Sequence, residues 1–212
     1  LPIPRHDLLP LDKYVFPFIS SKFTFVISSR GCPYHCTFCR QKIMWSKMFR
    51  FRSADHIIKE LELLKSIGVD NVLFQSDTFT LNRKIILELC QKIINKNLNI
   101  KWGCNSRVVT IDDEMLYWMK KAGCWNIFFG IEAGSQNLLD NIKKKMTVEQ
   151  MAKQVRLVKK VGIEIRGSFM IGLPGETPET ARETIKYAID LDPDYAQFTI
   201  TTPYPGTELW KS

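Results

Sequence analysis

The chain has 212 residues, 45% of them hydrophobic and 11% aromatic, with 30 Lys and Arg against 22 Asp and Glu for a formal net charge of +8. That is enough apolar material for one substantial core in a single domain. No apolar run approaches the ~20 residues of a membrane-spanning helix, and the opening LPIPRHDLLPLDKY carries charges and prolines where a secretory signal needs an apolar stretch.

Six strands are predicted in chain order, at Phe23–Ser28, Asn71–Gln75, Ile100–Asn105, Asn126–Ile131, Glu164–Ile171 and Tyr195–Thr201. Helical patterns separate them. Ile57, Leu61 and Leu64 share one helical face, and Ile86, Leu89, Cys90, Ile93 and Ile94 share the next. Helix starts are signalled by Asn82, by Asp112 ahead of Asp113 and Glu114, by Thr147 with Gln150 as a capping box, and by Thr177 before Pro178. LLKSIGVDNVLF, WMKKAGCWNIFF and LVKKVGIEIRGSF repeat one junction, in which a helix ends in Lys, reaches Gly68, Gly123 or Gly162, and gives way to an apolar strand. Such alternation demands a parallel sheet with right-handed crossovers. A doubly wound open sheet and a barrel both satisfy it, and both bind ligands at the carboxyl ends of their strands.

The loop after the first strand, SRGCPYHCTFC, holds Cys32, Cys36 and Cys39. Clustered in this way they read as metal ligands in a reducing compartment rather than as part of a disulfide framework, which places the protein in the cytoplasm. Zinc needs four ligands and no second Cys pair is present; His35 would have to close a very tight ring and reads as a loop histidine. Cys90, Cys104 and Cys124 read as core thiols. Three thiolates suit an iron–sulfur cluster whose fourth iron is open to something other than protein. The positive charge reads mainly as solvated surface, including the run Lys143, Lys144 and Lys145. A second basic group, Lys42, Lys47, Arg50 and Arg52, follows the cysteine loop, where it could face an anionic substrate. Interleaved with Trp45, Phe49 and Phe51, it is the only stretch that suggests a nucleic-acid surface, and it reads better as a loop covering the cluster.

CxxxCxxC at the end of a first strand, with Phe38 before the last cysteine, resembles the radical SAM enzymes. The resemblance runs from about Phe23 to Leu209. It implies a partial (β/α)6 barrel of the TIM type with parallel strands, open on the substrate side, rather than full eightfold closure. It also implies a [4Fe-4S] cluster on Cys32, Cys36 and Cys39, with S-adenosylmethionine (SAM) chelating the open iron. One electron, from an external donor of the flavodoxin or ferredoxin type, would then cleave SAM reductively to a 5′-deoxyadenosyl radical. On this resemblance the SAM contacts are Phe38, Ser76 and Asp77 after strand two, in place of the family's commoner Gly-Gly-Glu, and Glu132 in GIEAG after strand four. Arg166 would reach the methionine carboxylate, Ile171 and Gly172 of strand five would lie near the adenine, and Tyr204 would lie in the last adenine-side loop. Asp77 could instead start a turn before Asn82. Arg107, after strand three, could reach the pocket mouth or pair with a surface acid.

Together, GIEAGSQ, GLPGET and TPYPGT resemble most the branch whose members carry a cobalamin-binding domain ahead of the barrel. That likeness implies a small-molecule or biosynthetic-intermediate substrate, no membrane, and methylation assisted by cobalamin held on a domain outside this chain. Because the chain begins at Leu1, it is expected to be a piece of a longer protein, with residues 1–20 as a connector from an upstream domain and residues 21–212 as the radical SAM core. Two other readings stay open: a methylthiotransferase-like enzyme acting on RNA or protein, for which the +8 charge keeps tRNA in play, and a non-catalytic iron–sulfur electron-transfer module.

Overall fold

The computed structural model describes residues 2–45 and 48–211; Lys47, grouped above with Lys42, lies outside them. The first strand, β1 (Phe23–Ile27), leads through Ser28 into a two-residue strand, β2 (Ser29–Arg30), the cysteine loop, helix α1 (Gln41–Trp45) and β3 (Arg50–Phe51). Strand β3 returns antiparallel to β2, pairing Ser29 with Phe51 and Arg30 with Arg50. From there strands and helices alternate: α2 (Ala54–Ser66), β4 (Asn71–Gln75), α3 (Arg83–Asn95), β5 (Lys101–Ser106), α4 (Asp113–Lys121), β6 (Cys124–Glu132), α5 (Gln136–Asn141), α6 (Val148–Val161), β7 (Glu164–Ile171), α7 (Pro178–Leu191) and β8 (Tyr195–Ile200). The sheet is six-stranded, in the order β1-β4-β5-β6-β7-β8, and every pairing is parallel. Its first and last strands remain edges, so the fold is a partial barrel open between β1 and β8. The third and fourth strands start and end within one or two residues of the positions read from the sequence, and the others agree more closely.

Local chemistry sets the helix boundaries. Asn82, Asp112, Thr147 and Thr177 each accept a hydrogen bond from a backbone N–H of the first turn. Thr147 and Gln150 form a reciprocal capping box, and at α7 Thr180 plays the part that Gln150 plays at α6. Helix α6 stops at Gly162, whose φ of 75° is left-handed.

The two faces of the sheet differ. Val72, Phe74, Trp102, Ile127, Phe129 and Ile165 are all buried against the surrounding helices. The Trp102 ring meets Phe74 and Phe79, and its Nε1–H donates to the Ala122 carbonyl at 2.8 Å. The alternate residues Gln75, Asn105, Asn126 and Arg166 face inward and are polar. A barrel interior is ordinarily packed solid with branched apolar side chains; this one sets polar groups among aromatic ones, Phe25 and Phe128 included.

The segment ahead of β1 lies against the barrel. His6 is buried and bonded to Glu60 of α2 at 2.8 Å, and Glu60 also pairs with Arg52 at 2.6 Å. Phe16 rests on Phe23 of β1 and on Phe18, and Phe18 meets Tyr195 of β8 with ring centroids 4.4 Å apart. No helix among the described residues is long and apolar enough to cross a membrane.

Candidate active site

The cysteine loop leaves the carboxyl end of β1 and is closed at its base by the β2–β3 hairpin. Gly31 opens it with φ +90°; a Cβ there would lie 1.9 Å from the Met48 carbonyl oxygen. Its N–H donates to Asp77 at 2.9 Å, so the end of β4 holds the start of the loop. Thr37 bonds through its N–H to the Ile142 carbonyl and through its carbonyl to the Leu209 N–H, each at 3.0 Å. A Gly31→Ala change should cost about 1–3 kcal/mol from the left-handed backbone alone, and more if Met48 has to move. A lowered midpoint in chemical denaturation checks this, and an unchanged midpoint would show that the loop yields freely.

Cys32, Cys36 and Cys39 are half-buried, whereas Cys90, Cys104 and Cys124 are in the core. Burial pushes the Cys90 and Cys124 thiols well above the usual range. The Cys39 thiol is also raised, chiefly by burial and less by neighbouring Cys36, Cys32 and Asp77, against a backbone hydrogen bond at Gln41. Cys36 Sγ lies 3.7 Å from an Arg107 guanidinium nitrogen, and Cys32 Sγ lies 3.8 Å from the Thr78 hydroxyl. Among the described residues no three His, Cys, Asp or Glu side chains are arranged to hold a metal ion. A single tetrahedral ion demands such convergence; thiolates that each bind a different iron of a cluster do not.

A cavity of about 450 Å³ opens beside the loop. Of the residues singled out in the sequence it is lined by Cys32, Cys36, Cys39, Phe38, Ser76, Asp77 and Glu132. The Ser76 hydroxyl is bonded to that of Ser28. Burial raises the Asp77 carboxyl above its ordinary range, while the hydrogen bond from Gly31 lowers it. Glu132 ends β6 with φ 72°, just past a register shift after Gly130. A non-glycine residue in that region is strained. The strain turns its carboxylate back over Gly130, where an added Cβ would lie 2.4 Å from Oε1.

Two cations complete the wall. Lys144 is buried, with Nζ 2.7 Å from Glu132 Oε1. Its burial corrects the expectation that the run of three lysines is solvated. Lys143 and Lys145 have φ values of 53° and 51°, so the backbone turns sharply on both sides of Lys144. Lys143 reaches out to Glu208 while Lys144 points inward. Arg107 is only 5% exposed, donates to the Lys144 carbonyl, and stacks at 3.8 Å over the Tyr34 ring. Among the described residues it makes no ion pair with a surface acid, because the turn after β5 carries it into the cavity wall. Charge runs ordinarily mark solvent-facing surface, so nothing in the sequence separated Lys144 from its neighbours; its only trace was an apolar flank, with Ile142 and Met146 both buried.

The other four residues lie elsewhere. Arg166 lines a second, deeper cavity. Ile171 ends β7 and Gly172 follows it, its N–H donating to Glu176 at 2.8 Å. Tyr204 is exposed and lies under the Arg40 guanidinium at 5.1 Å.

A parallel partial barrel with a three-cysteine loop at the end of its first strand defines a class. Residues 26–188 match the radical SAM superfamily, and the chain belongs to that family of enzymes. It is 43% identical over its full length to an uncharacterised methyltransferase of Pyrococcus horikoshii, covering 46% of that protein. It is 34% identical over 98% of its length to the anaerobic magnesium-protoporphyrin IX monomethyl ester cyclase of Rubrivivax gelatinosus, covering 38% of that protein. The chain thus spans less than half the length of these relatives. Among solved structures, the radical SAM methyltransferase TsrM of Kitasatospora setae, with cobalamin and a [4Fe-4S] cluster bound, superposes with a TM-score of 0.82 at 22% identity, over 89% of this chain and 38% of that one. That likeness speaks for the fold.

Proposed function

We propose that this chain is the catalytic core of a radical SAM enzyme, in which Cys32, Cys36 and Cys39 hold a [4Fe-4S] cluster and the adjoining cavity holds SAM. One observation carries the reading: a single cavity gathers the three cysteines with two carboxylates, Asp77 and Glu132, and two buried cations, Arg107 and Lys144. The donor set fits the group. Three thiolates bring three negative charges, and the guanidinium of Arg107 already lies against one sulfur. SAM brings an ammonium and a carboxylate, which need acceptors and cations respectively. Asp77 and Glu132 suit the first. Lys144 and Arg107 suit the second better than Arg166, which lines the deeper cavity.

The cofactor, when bound, supplies the one-electron cleavage of SAM. The protein's part is to hold the loop through Asp77 and Gly31, to fix Glu132 through Lys144, and to keep water from the wall with Phe38 and Trp45. Relatives named as methyltransferases, and a structural neighbour with cobalamin bound, support cobalamin-assisted methylation, with cobalamin on a part of the protein outside residues 21–212. A small-molecule substrate, an electron donor of the flavodoxin or ferredoxin type and a cytoplasmic setting accompany that reading.

The test is electron paramagnetic resonance of the anaerobically reconstituted, reduced protein with and without SAM. The expected result is a four-iron signal that shifts when SAM is added. A signal indifferent to SAM would favour an electron-transfer module, and zinc in place of iron would end the proposal.

A further inference from the structure

Beneath the cluster cavity lies a second chamber of about 160 Å³ inside the barrel. Gln75, Asn105 and Phe128 line both spaces, so the two adjoin. Its charged group is Arg166 of β7, which lies directly beside Phe128 of β6 in the sheet register and holds its guanidinium 4.3 Å from that ring's centre. No carboxylate pairs with Arg166 among the described residues, and its Nε is sealed from solvent with no acceptor in reach. No acidic side chain lines the chamber; its polar lining besides Arg166 is the amides of Gln75, Asn105 and Asn126, with Tyr195, the cross-strand neighbour of Arg166, and Trp125.

An arginine held half-buried without a counter-ion is costly. Burial lowers its hold on the proton, although a guanidinium keeps its charge at any physiological pH. Two other buried charges have ionic partners, Lys144 with Glu132 and Glu60 with Arg52, and Arg107 has the Lys144 carbonyl. Arg166 has only the face of Phe128, which orients the planar fork and leaves its edge free. A fork so presented matches an oxyanion in two parallel hydrogen bonds.

We propose that Arg166 anchors the substrate by an oxyanion, a carboxylate or a phosphonate-type group, seated in this chamber with the remainder of the molecule rising toward the cluster cavity. This rests on the reading of the upper cavity as the place of reaction, and it makes the enzyme selective for acids over their neutral analogues. Arg166 is then a positioning residue for substrate and takes no part in holding SAM.

The experiment uses the intact reconstituted protein with SAM present and three small probes of matched shape: benzoate, phenylphosphonate and the neutral benzamide. Binding is read by ligand-observed nuclear magnetic resonance, which needs no turnover. Benzoate and phenylphosphonate should bind and benzamide should not. An Arg166→Met variant should lose about tenfold or more in benzoate affinity, with Arg166→Lys retaining part of it and both variants keeping wild-type SAM affinity. Equal binding of benzamide and benzoate would overturn the proposal, and that comparison needs only wild-type protein. So would unchanged benzoate affinity in Arg166→Met, or a loss of SAM affinity there, which would return the guanidinium to the cofactor. Probe binding can be read whether or not a cluster assembles, so a failure of the cluster assignment shows separately, in the iron content.

Discussion

Replacing Cys36 with Ala is expected to reduce bound iron from about four atoms per chain to background, while leaving the barrel folded. The separation follows from where the thiol lies. Cys36 is half-buried in a loop held by Gly31 at the end of β4 and by Thr37 at Ile142, just after α5, and it contributes nothing to the apolar core formed around Trp102 and Phe74. The Arg107 guanidinium, 3.7 Å from its sulfur, keeps its bond to the Lys144 carbonyl and its stack on Tyr34. Iron and sulfide analysis of anaerobically reconstituted protein measures the first part, and far-ultraviolet circular dichroism the second. Full iron retention would remove Cys36 from the ligand set, and the same holds for Cys32 and Cys39 in turn.

Lys144→Met is expected to be the most damaging single change in the cavity wall. It leaves the Glu132 carboxylate buried without its cation, and stranding one half of a buried pair costs about 3–5 kcal/mol. Glu132→Gln in the same protein should restore much of that loss, since two neutral groups of similar shape do not carry the desolvation penalty of a lone charge. Affinity for SAM should not return with stability, because the carboxylate is then gone. Glu132→Ala alone should likewise weaken SAM binding with the cluster intact. Urea denaturation gives the stabilities and equilibrium dialysis the affinities. If Lys144→Met left the unfolding midpoint unmoved, the pair would be a surface contact and the assignment of both residues to the cavity would fall.

Most of the fold was legible because its signals are local. Asn82, Asp112, Thr147 and Thr177 announce helix starts through a side-chain oxygen that satisfies N–H groups a few residues on, and Gly68, Gly123 and Gly162 announce stops through a backbone that other residues resist. The three cysteines were legible for the same reason, being close in the chain. Lys144 was not, because what defines it is distance across the fold, and Arg107 was left between the pocket mouth, where it lies, and a surface acid for the same reason. Lys144 meets a carboxylate twelve residues earlier only because β6 bends at Glu132. Arg107 finds a cysteine seventy-one residues away. Arg166 was given to SAM on the family resemblance, yet it sits early in β7, near the amino end of the strand, and lines the lower chamber.

The aromatic chain Phe23–Phe16–Phe18–Tyr195 joins the amino ends of β1 and β8, while at the opposite ends of the same strands Ile27 and Ile200 are 46% and 76% exposed. Mechanically, this is a clasp pinned at its base. A rim left untied in this way would admit molecules of differing girth, while the pinned floor would keep Arg166 at a fixed depth. A lineage of such enzymes can therefore change the bulk of what it modifies by altering the rim, without rebuilding the point that registers the molecule's charged end.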